Sequence, residues 1–183
     1  MSGDEVAARV VRFDELAEMT TPIDRNIVSQ EAMDVILART ILPVIMEKTH
    51  NPFGDTGGIY GCNGLTMNIS VLPPVQGPCL HAHNATFETF FVLEGYITFF
   101  IGEDGGQSLT LGPWDTFSCP PGVYRGYTNA SDAARAVLLT IINGDPDVRA
   151  DVNVPPAITR HLRDTYGAAV VNEFRKIADL PED

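Results

Sequence analysis

Residues Gly77 to Gly95 read GPCLHAHNATFETFFVLEG, and the fold follows from them. His81 and His83 are two of the four histidines and stand two positions apart. In a strand, side chains i and i+2 project from one face, so both imidazoles point at one spot. Glu88 follows Asn84-Ala85-Thr86-Phe87, a stretch long enough to turn the chain and start a second strand beside the first. Two imidazoles and one carboxylate then converge on a cation. This is a facial 2-His-1-carboxylate set, which leaves coordination positions open and suits iron(II). Zinc, manganese, nickel and cobalt are compatible with the same trio. Taken by itself, His-x-His reads rather as two ordinary strand histidines with Glu88 a solvated turn residue.

The surrounding spacing favours the site. His-x-His, four residues, Glu, six residues and Gly at His81, His83, Glu88 and Gly95 resemble the first motif of the cupin family. The leading glycine usual in that motif is replaced by Val75, with Gly77 close by. A second cupin-like motif lies at Asp115 to Asn129, with Pro120, Gly122 and Asn129 in register and Trp114 where a glycine is usual. The histidine that completes the family's metal set aligns with Arg125. A guanidinium stays protonated and has no lone pair for a metal. The resemblance, to a small cupin-2 type protein, therefore implies three metal ligands, His81, His83 and Glu88, and withholds the fourth.

Three readings of Arg125 follow. A metal is held by three ligands with Arg125 beside it, gripping the carboxylate of a chelating acid; or the metal is lost and the site is a binding pocket; or Arg125 pairs internally with Glu88.

The 183 residues suffice for one domain with a substantial core. A net charge of -12 argues against nucleic-acid and anionic-membrane partners. Asp4, Glu5, Asp14 and Glu15 leave the first fifteen residues without an apolar run, so the expectation is a soluble, cytoplasmic protein. Cys62, Cys79 and Cys119 read as free thiols. Cys79 shares the strand parity of the two histidines, although Gly77-Pro78 favours a loop there.

Short punctuated strands are expected at 65–72, 87–93, 96–101, 107–111, 115–119, 123–128 and 135–142, with Glu94-Gly95 as a hairpin turn. They argue for an antiparallel barrel or sandwich. The resemblance selects the jelly-roll double-stranded β-helix, an all-β core with short N-terminal and C-terminal helices. Residues 1–38 form a helical arm in this reading, 39–144 the barrel and 145–183 a helical tail, all within one domain. A short helix is expected around Phe13, Leu16 and Met19, and another after the cap candidate Ser29. Pro43 marks an edge strand at 39–48, and small cupins commonly dimerise through such strands, so a homodimer is expected. Residues 51–64, with five glycines, read as a connector or lid. Helices are expected at 157–166 and 168–178. His50 and His161 read as surface residues.

The functional expectation is a metal-dependent enzyme with one divalent transition metal, iron(II) favoured. It would be a dioxygenase acting on a small organic acid or an oxygen-rich aromatic. His81, His83 and Glu88 would bind the metal, Arg125 would hold a substrate carboxylate or stabilise developing negative charge, and Tyr127 would donate a proton. The alternatives are an isomerase or decarboxylase on the same ligands, or a non-catalytic small-molecule binder.

Overall fold

The computed structural model describes residues 1–47, 56–61, 63–144 and 151–181. The chain enters through a short helix α1 (Gly3–Ala7), capped by Ser2, and a 3₁₀ turn at Phe13–Glu15. The helix expected through Phe13, Leu16 and Met19 does not form. Met19 instead donates its backbone N–H to the carbonyl of Ile41, which draws this segment out along a strand. Helix α2 (Gln30–Ile36) starts where expected, because the Ser29 hydroxyl accepts from the Ala32 N–H.

Eleven strands follow among the described residues: β1 (Thr40–Met46), β2 (Ile59–Tyr60), β3 (Leu65–Leu72), β4 (Ala82–His83), β5 (Phe87–Glu94), β6 (Ile97–Ile101), β7 (Gln107–Leu111), β8 (Thr116–Cys119), β9 (Arg125–Asn129), β10 (Ala136–Asn143) and β11 (Val152–Asn153). Six of them form one sheet in the order β2-β1-β3-β10-β5-β8, three form a second in the order β7-β6-β9, and β4 pairs with β11. Antiparallel pairing prevails, and the architecture is the all-β jelly-roll barrel. The β2–β1 pair is parallel.

Glu94-Gly95 does not close a hairpin. β5 pairs with β10 and β8, whereas β6 pairs with β7 and β9, so this turn carries the chain from one sheet to the other. Gly95 takes φ 76° there, a region open to glycine without steric cost. The expected pairing of the histidine strand with the Glu88 strand is absent for a related reason. β4 lies against β11, and His81 bridges to Arg125 of β9.

The two larger sheets meet through aromatic rings. Phe90 lies 5.1 Å from Phe99 and 5.2 Å from Tyr127 between ring centroids, and Phe117 lies 5.2 Å from Phe99. Tilted and edge-on contacts of this kind add to the area term. A second core joins α2 to two C-terminal helices, α3 (Pro156–Tyr166) and α4 (Ala168–Phe174), through Val28, Ala32, Ile36, Leu162, Val171 and Phe174. α4 stops four residues short of the expected end.

The Pro43 strand was expected to offer an edge to a second copy. Its outer edge is met by its own chain: Gly58 N–H donates to Pro43 O at 3.2 Å, Gly61 N–H to Met46 O at 2.9 Å, and Met19 takes Ile41 O. The 51–64 segment contains β2, so it is not wholly a loop; residues 51–55 and 62, and with them Cys62 and the first part of the lid expectation, lie outside the described residues, as do His50 and residues 145–150. No helix among the described residues is long and apolar enough to cross a membrane.

Candidate metal centre

The site begins with a tight backbone approach. His81 N–H donates to Arg125 O at 2.9 Å and Arg125 N–H to His81 O at 2.8 Å, while Tyr127 N–H reaches Pro78 O at 3.3 Å and Asn129 N–H reaches Gln76 O at 3.0 Å. Residues 76–81 are thereby laid along β9. Glycines permit this closeness: a Cβ on Gly77 would sit 2.0 Å from Tyr127 O, and one on Gly126 would sit 2.9 Å from the Cys79 carbonyl carbon.

His81 and His83 then point the same way, with ring centroids 5.6 Å apart. Each Nε2 lies 3.8 Å from Oε2 of Glu88, which reaches in from β5. The three ligand atoms lie within 4.8 Å of one another. Both rings are oriented from behind. His81 Nδ1 donates to Cys79 O at 2.9 Å, and His83 Nδ1 donates to Asp151 Oδ2 at 2.7 Å. These partners fix the proton on Nδ1 and leave the Nε2 lone pairs facing Glu88. A ligating imidazole that donates its other N–H to a carboxylate or carbonyl is the usual outer shell of a protein metal site.

Asp151 is held as firmly as it holds. Its Oδ1 accepts from Ala85 N–H at 2.7 Å and Thr86 N–H at 3.2 Å, and its Oδ2 accepts from the Thr86 hydroxyl at 2.6 Å. Burial pushes its carboxyl up, but hydrogen bonds from His83, Thr86 and Ala85 outweigh this and leave it at about 2. Asp151 went unseen in the sequence because it stands 68 positions from His83. The two-residue β4–β11 pairing and the bond from Asn84 N–H to Asp151 O at 2.7 Å bring them together.

Among the described residues Arg125 is the largest fully buried side chain, at 0 % exposure. Its Nε donates to Glu88 Oε2 at 2.8 Å and its Nη2 to the same oxygen at 2.5 Å. The guanidinium expected to meet a substrate's acid meets Glu88 instead. Burial raises the Glu88 carboxyl; Arg125 and then the two imidazoles pull it below the ordinary value. His81 goes down to about 3, first through burial and then through the Arg125 charge, against the pull of Glu88. At neutral pH the His81 imidazole is uncharged.

The residues present fit a divalent cation. Metal bonds of about 2.0–2.2 Å would draw the three donors somewhat closer than they stand, and the lone pairs already face one point. The fit differs from a four-ligand site in charge: Arg125 cancels the Glu88 carboxylate.

The site opens on a cavity of about 170 Å³. Met19, Ile36, Ile41, Met46 and Val154 give it apolar walls, and Asn68, Ser70 and Thr140 form a polar stripe. Tyr127 lines it too, sharing a hydrogen bond with Ser70; burial, foremost, keeps its phenol protonated. Arg125 does not line it. Cys79 does, with its thiol pushed up to about 12 by burial, and its carbonyl rather than its sulfur serves His81. His161 lies on α3, beside Tyr166 and away from the site.

Residues 68–142 match the family model described as "Cupin domain". No curated protein matches the chain. Among solved structures, the cupin domain of Schizosaccharomyces pombe Cnp3 is 12% identical with a TM-score of 0.46, over 58% of this chain and 61% of that one. The chain thus spans about three fifths of that relative. A Thermus thermophilus protein is 24% identical (TM-score 0.43; 48% of this chain, 80% of that one). A Bacteroides fragilis cupin protein is 27% identical (TM-score 0.41; 46% and 70%). All three TM-scores lie below 0.5, and the family model covers residues 68–142 of the 183.

Proposed function

We propose that this chain, whose residues 68–142 place it in the cupin superfamily, is a metal-dependent enzyme of the dioxygenase kind. It would act with iron(II) on a small oxygen-bearing molecule. The observation that carries the reading is the pair of Nε2 lone pairs, oriented by Cys79 O and Asp151, facing Glu88 at the end of a largely apolar cavity. His81, His83 and Glu88 would hold the metal, and a three-ligand facial set of this type leaves positions open for substrate oxygens and dioxygen.

The chain's own residues have separable parts in this account. Cys79 O and Asp151 hold the Nδ1 protons of His81 and His83, so each ring presents its Nε2 to the site. Arg125 is a positioning residue: it fixes the Glu88 rotamer and removes one negative charge from the ligand set. Tyr127 presents a protonated phenol at the cavity wall and is the candidate proton donor. The apolar walls exclude water. Of the two substrate classes expected from sequence, the oxygen-rich aromatic suits this lining better than the organic acid, because the cation meant for the acid is engaged by Glu88.

The Arg125–Glu88 pair also supports a second reading. A site whose carboxylate is satisfied without a metal suits a non-catalytic binder of small molecules. The two separate by experiment. Metal-free protein is reloaded with iron(II) or with zinc(II) and supplied with small hydroxylated aromatics while oxygen is recorded. Oxygen uptake with product formation in the iron form alone, lost in His81→Ala, is the expected result. Turnover without oxygen uptake would move the assignment to an isomerase or decarboxylase, and binding without turnover would move it to the binder.

A further inference from the structure

Four buried side-chain polar atoms lack a hydrogen-bond partner among the described residues: Thr56 Oγ1, Asn68 Oδ1, Thr140 Oγ1 and Thr159 Oγ1. Two of the four, on Asn68 and Thr140, are direct register partners across β3 and β10, and both residues line the cavity. Thr140 is only 4 % exposed. Unpaired polar atoms cost stability, and folded proteins rarely keep them without a use. Two such atoms side by side on one cavity wall form a site lacking only its ligand's half of the hydrogen bonds.

Strand register gives its distance from the metal ligands. On the same inward face, Glu88 stands opposite Ile142 and Phe90 opposite Thr140. Thr140 is therefore diagonal to Glu88, about 7–8 Å away, and Asn68 lies one strand farther, roughly another 5 Å. A molecule reaching both ends is about one substituted ring long. Its charge is also constrained. Glu47, Glu88 and Asp151 contribute carboxylates to the lining, whereas no lysine or arginine is among the described lining residues.

We propose that Asn68 and Thr140 form a subsite for a hydroxyl group on an uncharged, ring-sized apolar ligand, whose O–H donates to Asn68 Oδ1 and shares a hydrogen bond with Thr140 Oγ1. This deepens the preceding reading, since it assumes that the cavity is the ligand site. It does not require the metal. Discrimination comes from leaving the two atoms unpaired again when the hydroxyl is missing, the situation in which a polar pocket rejects an apolar isostere.

Calorimetric titration with phenol, toluene and benzoate tests it, on protein as purified and again after chelator treatment. Phenol should bind roughly tenfold tighter than toluene, with benzoate weakest in the metal-free protein. Thr140→Val and Asn68→Leu should each erase most of the phenol preference, and Thr140→Ser should keep it. Thr140→Val should also melt no lower than the parent, because it removes an unpaired hydroxyl at constant shape. A structural hydroxyl would behave in the opposite way. A preference that survives both apolar substitutions, a preference lost with the metal, benzoate binding tightest in metal-free protein, or no binding of any probe would each overturn the subsite. Phenol preference in a protein that takes up no metal would leave the subsite standing and remove the enzyme reading instead.

Discussion

Arg125 donates two hydrogen bonds to a single oxygen of Glu88, the same Oε2 that both imidazoles face at 3.8 Å. One carboxylate oxygen is thus shared between a permanent cation and a candidate metal position. The guanidinium supplies what burial withholds, since a lone carboxylate this deep would be driven to protonate. The outcome is a buried, charge-balanced carboxylate where a fourth ligand would otherwise stand beside it.

Removing the cation should therefore cost more than removing the pair. Arg125→Met leaves Glu88 buried and uncompensated, and the expected loss is about 3–5 kcal/mol. The double variant Arg125→Met/Glu88→Gln should recover a large part of it. Denaturant unfolding of the parent, both single variants and the double variant gives the coupling directly. A single-variant loss below about 1 kcal/mol would mean that the pair behaves as a solvated surface bridge.

Asp151 should be felt at the metal without touching it. Asp151→Asn removes the charge behind His83 Nδ1 and loosens the ring's proton assignment. Metal affinity should fall by about 10–100-fold, while the far-ultraviolet circular dichroism stays that of the parent. Competition with a chromogenic chelator measures the affinity, and an unchanged value would detach Asp151 from the site.

Acid should weaken the metal-free protein earlier than carboxylates alone would. His81 has an ordinary value of 6.5 and lies at about 3 when folded. Between these values the unfolded chain holds the extra proton, so stability rises with pH through this window and falls as pH is lowered. The slope from this group approaches about 1.4 kcal/mol per pH unit. Asp151, taken from 3.8 to about 2, adds a further loss as pH falls below its ordinary value. Denaturant midpoints from pH 7 to 4 should show this slope, and His81→Gln should flatten it above pH 4.5; an equal slope in both proteins would contradict the assignment.

What the sequence made legible and what it hid have physical causes. The spacing of His81, His83 and Glu88 reflects local geometry, a two-residue strand period and a short turn, so it could be read directly. β3 was located to the residue at Leu65–Leu72, yet its polar alternates Thr66, Asn68 and Ser70 line the cavity. Period two reveals that a strand has two faces and not which one the barrel encloses. Asp151 and the destination of the 94–95 turn depend on long-range pairing, which leaves no local trace. Arg125 was recognisable as the odd residue of its motif, but its direction is set by Glu88 across two sheets.

Metal uptake by metal-free protein, counted per chain by elemental analysis after reloading with iron(II), decides whether His81, His83 and Glu88 hold a cation. One ion per chain is expected, lost in His81→Ala, His83→Ala and Glu88→Gln and retained at lower affinity in Asp151→Asn. Failure to load the parent, or equal loading of parent and His81→Ala, would contradict it.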